Sequence, residues 1–310
     1  MRPLTLIHLS DLHVHRLAFH PRHWGAKRAL GSLNLIVQRR YQYPRERLRH
    51  LIARVDRMEW DYLVITGDIG QLGLAAEFEE ARRELAPLLA RGPERVAILP
   101  GNHDHYVREG GDRANRAGTA FYGVFGEFCP RADGFAARAL GGPWWLATWD
   151  STLATPVGSA QGQVRTETMA ATERWLAGLP EGARVILANH YPVVFPNSFW
   201  PGVYHQLRNL DAVRAWMQRQ PIEVLLHGHI HQPWVIAPAG DLNARPSPSP
   251  ANPAHVSPPG PGVRLSVNSA SSSQRVRRAG DPAFHRLTLP LEPGAPVRVE
   301  VLAVEPPHAT

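Results

Sequence analysis

Short apolar runs recur along the chain, and several end on polar residues of one chemical kind. Leu4 to Leu9, Tyr62 to Thr66, Arg95 to Leu99, Arg184 to Ala188 and Ile222 to Leu226 are rich in Val, Ile and Leu, with the length and content of buried strands. Between them the apolar positions return at helical spacing. Pro44 opens a helix to about Trp60 that keeps Leu48, Leu51, Ile52 and Val55 on one face. Leu74 to Ala90, Thr166 to Leu179 and Asn209 to Gln218 repeat the pattern, and Trp144 to Trp149 reads as a further strand. Residues 105 to 140 are expected to hold a helix between loops. Val263 to Asn268, Phe284 to Leu289 and Val297 to Val304 read as antiparallel strands closing a second sheet. Alternation of strand and helix implies an α/β core that is largely parallel.

Two stretches depart from this rhythm. Residues 16 to 49 hold nine Lys/Arg and one acid, Glu46. Within them Lys27 to Arg40 forms a short amphipathic pattern on Leu30, Leu33, Ile36 and Val37, flanked by Trp24, Tyr41 and Tyr43. Three readings fit: a helix lying on an anionic membrane surface, a packed helix with solvated arginines, or a cap over a cleft that receives an anionic or lipidic substrate. Residues 237 to 262 are dominated by Pro, Ala, Ser and Gly and read as a flexible loop. The expected organisation is one domain over 1–310, with a basic amphipathic insertion at about 16–43 and the proline-rich loop at about 237–262.

Composition narrows the class. An apolar share of 44% and a charged share of 20% over 310 residues describe a soluble globule able to bury a sizeable core. The net charge is +7, but residues 1 to 60 alone carry about +8, so the remainder is near neutral. A uniformly basic nucleic-acid binder is excluded, and no specific nucleic-acid partner is expected. Cys129 is the single cysteine, so no intrachain disulfide exists. No signal-like or membrane-spanning run is seen. The expectation is a cytoplasmic protein, peripheral to the inner membrane if the basic segment docks there.

The chemistry sits at the strand ends. They deliver Asp11 and His13, then Asp68, then Asn102, His103 and Asp104, then His190, and finally His229 and His231. Asp11/His13 and His229/His231 are i, i+2 pairs, which point to one side in extended chain. Carboxylate, amide oxygen and imidazole together suit a divalent metal of intermediate softness. Ligand sites in α/β sheets gather beyond the carboxyl ends of strands, so five converging ends would make one site. Taken alone, Pro100 to His105 is equally a polar turn that happens to hold a histidine.

The ordered set Asp11-x-His13, Gly67-Asp68, Gly101-Asn102-His103-Asp104, His190 and Gly228-His229-x-His231 resembles the calcineurin-like metallophosphoesterase family, nearest its bacterial branch related to cyclic-nucleotide phosphodiesterases. The resemblance implies a two-sheet β-sandwich flanked by helices. It also implies two divalent ions (Mn, Fe, Zn, Co or Ni) bridged by Asp68. Asp11, His13 and His231 would complete one ion's shell, and Asn102, His190 and His229 the other's. His103 would contact the phosphoryl group or protonate the leaving alkoxide, with Asp104 orienting or charge-stabilising it. The implied activity is a metal-dependent phosphoric ester hydrolase, a phosphodiesterase using water or hydroxide held between the ions. Its substrate would be a small-molecule or lipid-linked phosphoester. The alternative is a peripheral-membrane pyrophosphatase or phosphodiesterase acting on a nucleotide-linked or phospholipid substrate such as a UDP-diacylglucosamine. A metal-free binding scaffold is the weaker reading, because every expected donor is present. Of the other histidines, His8 and His227 read as core, His15 and His105 as rim, and His20, His23 and His205 as surface loop, while Asn189 and Tyr191 flank a donor and shape the pocket.

Overall fold

The structure is a computed structural model that describes residues 2–16, 43–106, 119–130, 133–196, 201–237, 262–274 and 282–304. The expected amphipathic helix at 27–40 and the proline-rich stretch at 238–261 lie outside these residues. In chain order the first elements are β1 (Leu4–Leu9), α1 (Arg45–Arg57), β2 (Tyr62–Ile65), α2 (Ala75–Leu89), β3 (Val96–Ile98) and α3 (Ala120–Phe125). They are followed by β4 (Phe135–Gly141), β5 (Trp144–Trp149), α4 (Thr166–Ala177), β6 (Arg184–Ala188), α5 (Leu210–Met217) and β7 (Pro221–His227). Then come β8 (Trp234–Ile236), β9 (Gly262–Asn268), β10 (Ala283–Leu289) and β11 (Arg298–Ala303).

These strands form two sheets, ordered β11-β10-β1-β2-β3 and β4-β5-β6-β7-β9-β8. Alternation along β1 shows how they stack. Leu6 packs between the sheets with Val64, Trp144, Ile186, Val224 and Leu287. Its neighbours Ile7 and Leu9 face the other way, against Leu48, Leu51 and Val55 of α1 and Phe78 of α2. On the far side Trp149, Leu187 and Leu225 pack against Val213 and Trp216 of α5. Both faces of each central strand are therefore buried, which is why these strands read as continuous apolar runs. Full burial of each such side chain contributes about 1.5–3 kcal/mol. The result is the two-sheet sandwich flanked by helices.

The closing strands are placed differently from the expectation. β9 lies in the second sheet but runs parallel to β7. β10 and β11 join the first sheet instead, β10 pairing antiparallel with the free edge of β1 and β11 with β10. Residue pattern alone cannot assign a strand to a sheet when both sheets bury the same residue types. Two elements also lacked a signal. β4 is Ala-rich and sits at a sheet edge, and β8 is three residues long. Among the described residues no helix is long and apolar enough to cross a membrane.

His8 and His227 belong to the core, as expected. His8 Nε2 lies 2.9 Å from Thr66 Oγ1 and its ring stacks on His285 at 5.6 Å. His227 lies between Asn268 Oδ1 at 2.5 Å and Ser266 Oγ at 2.7 Å. Burial lowers the pKa of all three rings, so they remain neutral.

The loop after β2 is fastened from below by Glu77 in the first turn of α2. Its Oε2 accepts the backbone N–H of Gln71 at 3.3 Å, Leu72 at 2.8 Å and Leu74 at 3.2 Å. Burial pushes this carboxyl up to about 7, even though those N–H groups pull it down. A folded-state value above the unfolded one means that ionisation is disfavoured by the fold. The group's contribution to stability is greatest below 4.5 and falls as pH rises towards about 7. Glu77→Gln keeps an acceptor oxygen and cannot ionise. It should gain stability relative to the wild type as pH is raised from about 5 to about 8, read from urea denaturation midpoints; a constant difference across that range would refute the assignment.

Candidate metal centre

The carboxyl ends of β1, β2, β3, β6 and β7 meet at one edge of the sandwich. Backbone hydrogen bonds tie the tips together: Asp11 N–H to Gly67 O at 3.0 Å, His13 N–H to Asp68 O at 2.9 Å and Gly228 N–H to His190 O at 3.0 Å. Five non-glycine residues in the described chain have positive φ, namely Asp11, His13, Asp68, His229 and His231, at 48° to 71°. All five are donors expected from the sequence. An L-residue held in this region costs on the order of 1 kcal/mol. The reversal turns each donor inward just as its strand ends.

The donors fall into two groups. Asp11, His13, Asp68 and His231 bring their ligand atoms within 4.8 Å of one another, as do Asp68, His190 and His229. In the first group His231 Nε2 lies 3.1 Å from Asp11 Oδ1 and 3.1 Å from His13 Nε2. In the second, His190 Nε2 lies 3.2 Å from Asn102 Oδ1. Asp68 belongs to both. Its Oδ2 is 3.8 Å from His13 Nε2, and its Oδ1 is 3.6 Å from His190 Nε2. The seven residues that the family resemblance implied as metal donors are therefore brought together, in two overlapping clusters that share one carboxylate.

The donor set fits divalent ions. Asp11 Oδ1 is buried and makes no hydrogen bond of good geometry, the state of an oxygen aimed at a missing positive charge. Burial pushes the Asp11 carboxyl up, but His231 beside it, with His190 and His13 behind, outweighs that and holds it well below the usual carboxylate range. His190 and His229 are lowered by burial, so they are neutral at neutral pH. A carboxylate and neutral imidazoles are the ionisation states that ligation needs.

The surroundings orient these rings. His190 Nδ1 donates to Thr66 O at 2.6 Å and His229 Nε2 to His205 O at 3.0 Å. That leaves His190 Nε2 and His229 Nδ1 for an ion. Tyr191 packs on His229 with ring centroids 4.6 Å apart, so it walls the pocket as expected. His205 keeps an exposed ring, but its carbonyl has a function that its loop position did not suggest.

His103 stands beside this centre, its ring 5.0 Å from that of His13. Its Nδ1 donates to Gln71 O at 2.8 Å, and its ring stacks on Tyr106 at 5.6 Å. The proton that His103 can exchange is therefore carried at Nε2. The expected orienting role of Asp104 is not what the structure shows. Its carboxylate accepts the backbone N–H of Gly70 at 2.7 Å, Gly101 at 2.8 Å and Ile69 at 3.1 Å, and burial pushes it up to about 7. Asp104 fastens the Asp68 loop to the Asn102 turn, and Gln71 holds the His103 ring. His105 is likewise buried, not at the rim, with Nδ1 2.5 Å from Thr152 Oγ1, whose hydroxyl donates to Asp150 at 2.6 Å.

Sequence reasoning also passed over Ser271, Ser272 and Ser273. Ser271 Oγ donates to Asp11 O at 2.6 Å, Ser273 Oγ to Leu12 O at 2.5 Å, and Ser272 N–H to Ser10 O at 3.0 Å. They hold the left-handed turn that carries Asp11 and His13. A run of small hydroxyl residues just past a strand was the available signal.

The sequence profile described as calcineurin-like phosphoesterase matches residues 4–233. The chain belongs to this family. It is 28% identical over 177 residues to a 3',5'-cyclic adenosine monophosphate phosphodiesterase of Vibrio vulnificus (strain CMCP6), covering 56% of each chain. It is 24% identical over 186 residues to a probable cyclic nucleotide phosphodiesterase of Vesicomyosocius okutanii subsp. Calyptogena okutanii (strain HA), covering 60% of this chain and 68% of that one. The match thus spans little more than half the length of the Vibrio relative. Among solved structures, a dimetal phosphatase from Danio rerio superposes with a TM-score of 0.59 at 12% identity, covering 98% of this chain and 100% of that one. A purple acid phosphatase from yellow lupin (Lupinus luteus) gives 0.57 at 13% identity, over 97% of this chain and 51% of that one. These structural likenesses show a shared fold.

Gly228 illustrates how tightly the family's glycines are fitted. A Cβ there would land on Ser10 Oγ and on Asp11 Oδ2. Gly228→Ala should destabilise the protein by about 1–3 kcal/mol through overpacking and weaken divalent-ion binding. Chemical denaturation and metal titration read the two effects, and wild-type behaviour in both would show that the tips yield freely.

Proposed function

We propose that this protein is a dinuclear metal-dependent phosphodiesterase acting on a small-molecule diester, with a cyclic nucleotide as the leading substrate class. One observation carries the reading: the carboxylate of Asp68 is split between two donor groups, Oδ2 facing one and Oδ1 the other. The cyclic-nucleotide phosphodiesterase names of two relatives support the diester class. Asp11, His13, Asp68 and His231 would hold one ion, and Asp68, Asn102, His190 and His229 the second. Two divalent ions held there supply Lewis acidity to the phosphoryl oxygens and an activated water nucleophile. Mixed nitrogen and oxygen donors accommodate Mn, Fe, Zn, Co or Ni.

The chain's own share of the chemistry is positional and acid–base. Left-handed strand tips present the donors, and burial keeps His190 and His229 neutral. With Nδ1–H committed to Gln71 O, protonated His103 delivers a proton from Nε2 to the departing ester oxygen. Diester cleavage needs this step because an unprotonated alkoxide is a poor leaving group.

The test is turnover by metal-stripped protein reconstituted with Mn²⁺, offered bis(p-nitrophenyl) phosphate, p-nitrophenyl phosphate and cyclic AMP in parallel. Diester hydrolysis is expected, and it should vanish in Asp68→Ala and Asn102→Ala while both variants remain folded by circular dichroism. Undiminished activity in either pure, metal-replete variant would overturn the assignment.

A further inference from the structure

A histidine that binds an ion through one nitrogen must place the proton of the other, and whatever accepts that proton fixes the ring's tautomer and aim. For His190 and His229 the acceptors are the backbone carbonyls of Thr66 and His205. His231 is different. Its side chain is 26% exposed, against 1% or less for His13 and Asp11, its companions in the first donor group. Its Nδ1 lies 3.4 Å from the hydroxyl oxygen of Tyr43.

Tyr43 is itself buried, at 5% exposure, and its ring packs on His13 with centroids 4.5 Å apart. One side chain thus touches both imidazoles of the Asp11 group. Its location is also fixed from outside, since Arg45 two residues later donates from its guanidinium to His15 O at 3.1 Å and pairs with Glu80 at 2.8 Å.

We infer that Tyr43 is a positioning residue for the ion held by Asp11, His13 and His231. Its phenol oxygen accepts the Nδ1–H of His231 and so turns the Nε2 lone pair towards Asp11, while its ring face limits the swing of His13. The role acts selectively on one of the two ions. This rests on the dinuclear reading above.

Tyr43→Phe removes the oxygen and keeps the ring against His13. Calorimetric titration of the metal-free full-length protein with Mn²⁺ should resolve two sites in the wild type. In Tyr43→Phe one site should weaken by about 10-fold or more and the other should hold its affinity. Tyr43→Leu, which loses the ring as well, should weaken the same site at least as far. Thermal unfolding of the metal-free proteins should be the same for Tyr43→Phe and the wild type. Two wild-type affinities in Tyr43→Phe would overturn the inference. Equal weakening of both sites, or an unfolded Tyr43→Phe, would also overturn it by showing a general structural role. A wild-type protein that takes up fewer than two ions would remove the dinuclear reading instead, and this inference with it.

Discussion

Left-handed backbone at the strand tips is the constraint on which the centre depends. A β-strand that simply runs out of its sheet carries its next side chains up and away from its neighbours. Five donors here reverse φ at that point, and the reversal folds the tip over the edge of the sandwich. At about 1 kcal/mol each, such conformations persist only where surrounding contacts overdetermine them. The contacts are visible on every side. Gly67 O and Asp68 O accept the amides of Asp11 and His13, and Ser271 and Ser273 cap the carbonyls of Asp11 and Leu12 from behind. Asp104 gathers three amides from two loops.

Electrostatics builds on the same frame. Buried carboxylates and imidazoles are costly unless paired, and this site buries several within a few ångströms. Part of the cost is removed by keeping His190 and His229 neutral, and part by letting His231 stabilise the Asp11 carboxylate. What remains is an Asp11 oxygen without a hydrogen bond of good geometry and two imidazole nitrogens facing one another at 3.1 Å. Such an arrangement is unfavourable for a protein alone and favourable around a cation. The strain at the tips and the residual charge therefore point the same way: the fold holds a metal-ready geometry rather than a relaxed one.

What could be read from the sequence follows from this division. Donor residues advertise themselves, because ligation demands Asp, Asn or His at a strand end, and the spacing survives in one dimension. Strand identity was equally plain wherever both faces are buried, as in β1, β6 and β7. Sheet membership was not, since β9 and β10 bury the same kinds of residue and their partners are chosen by edges that only assembled sheets possess. Residues that act on the donors were the hardest to see. Gln71 holds His103 through a backbone carbonyl, His205 does the same for His229, and Ser271 acts on a backbone oxygen over two hundred residues away. A carbonyl carries no residue signature. Asp104 misled for the converse reason: its carboxylate adjoins a reactive histidine in sequence, yet it is spent on amides.

Charge distribution adds a last link between chain and site. The first 60 residues carry about +8 of a total of +7, and the basic run from 16 to 49 spans the interval between His15 and Tyr43. His15 lies two residues after His13, and the ring of Tyr43 packs on that of His13. A phosphodiester is an anion at every relevant pH. Unpaired positive charge near a site raises the local concentration of such an anion and speeds encounter, an effect that salt screens. Among the described cations of this run, Arg45 and Arg49 are paired with Glu80 and Glu84 of α2, so their part is to fasten α1, and Tyr43 two residues before it, beside the donors.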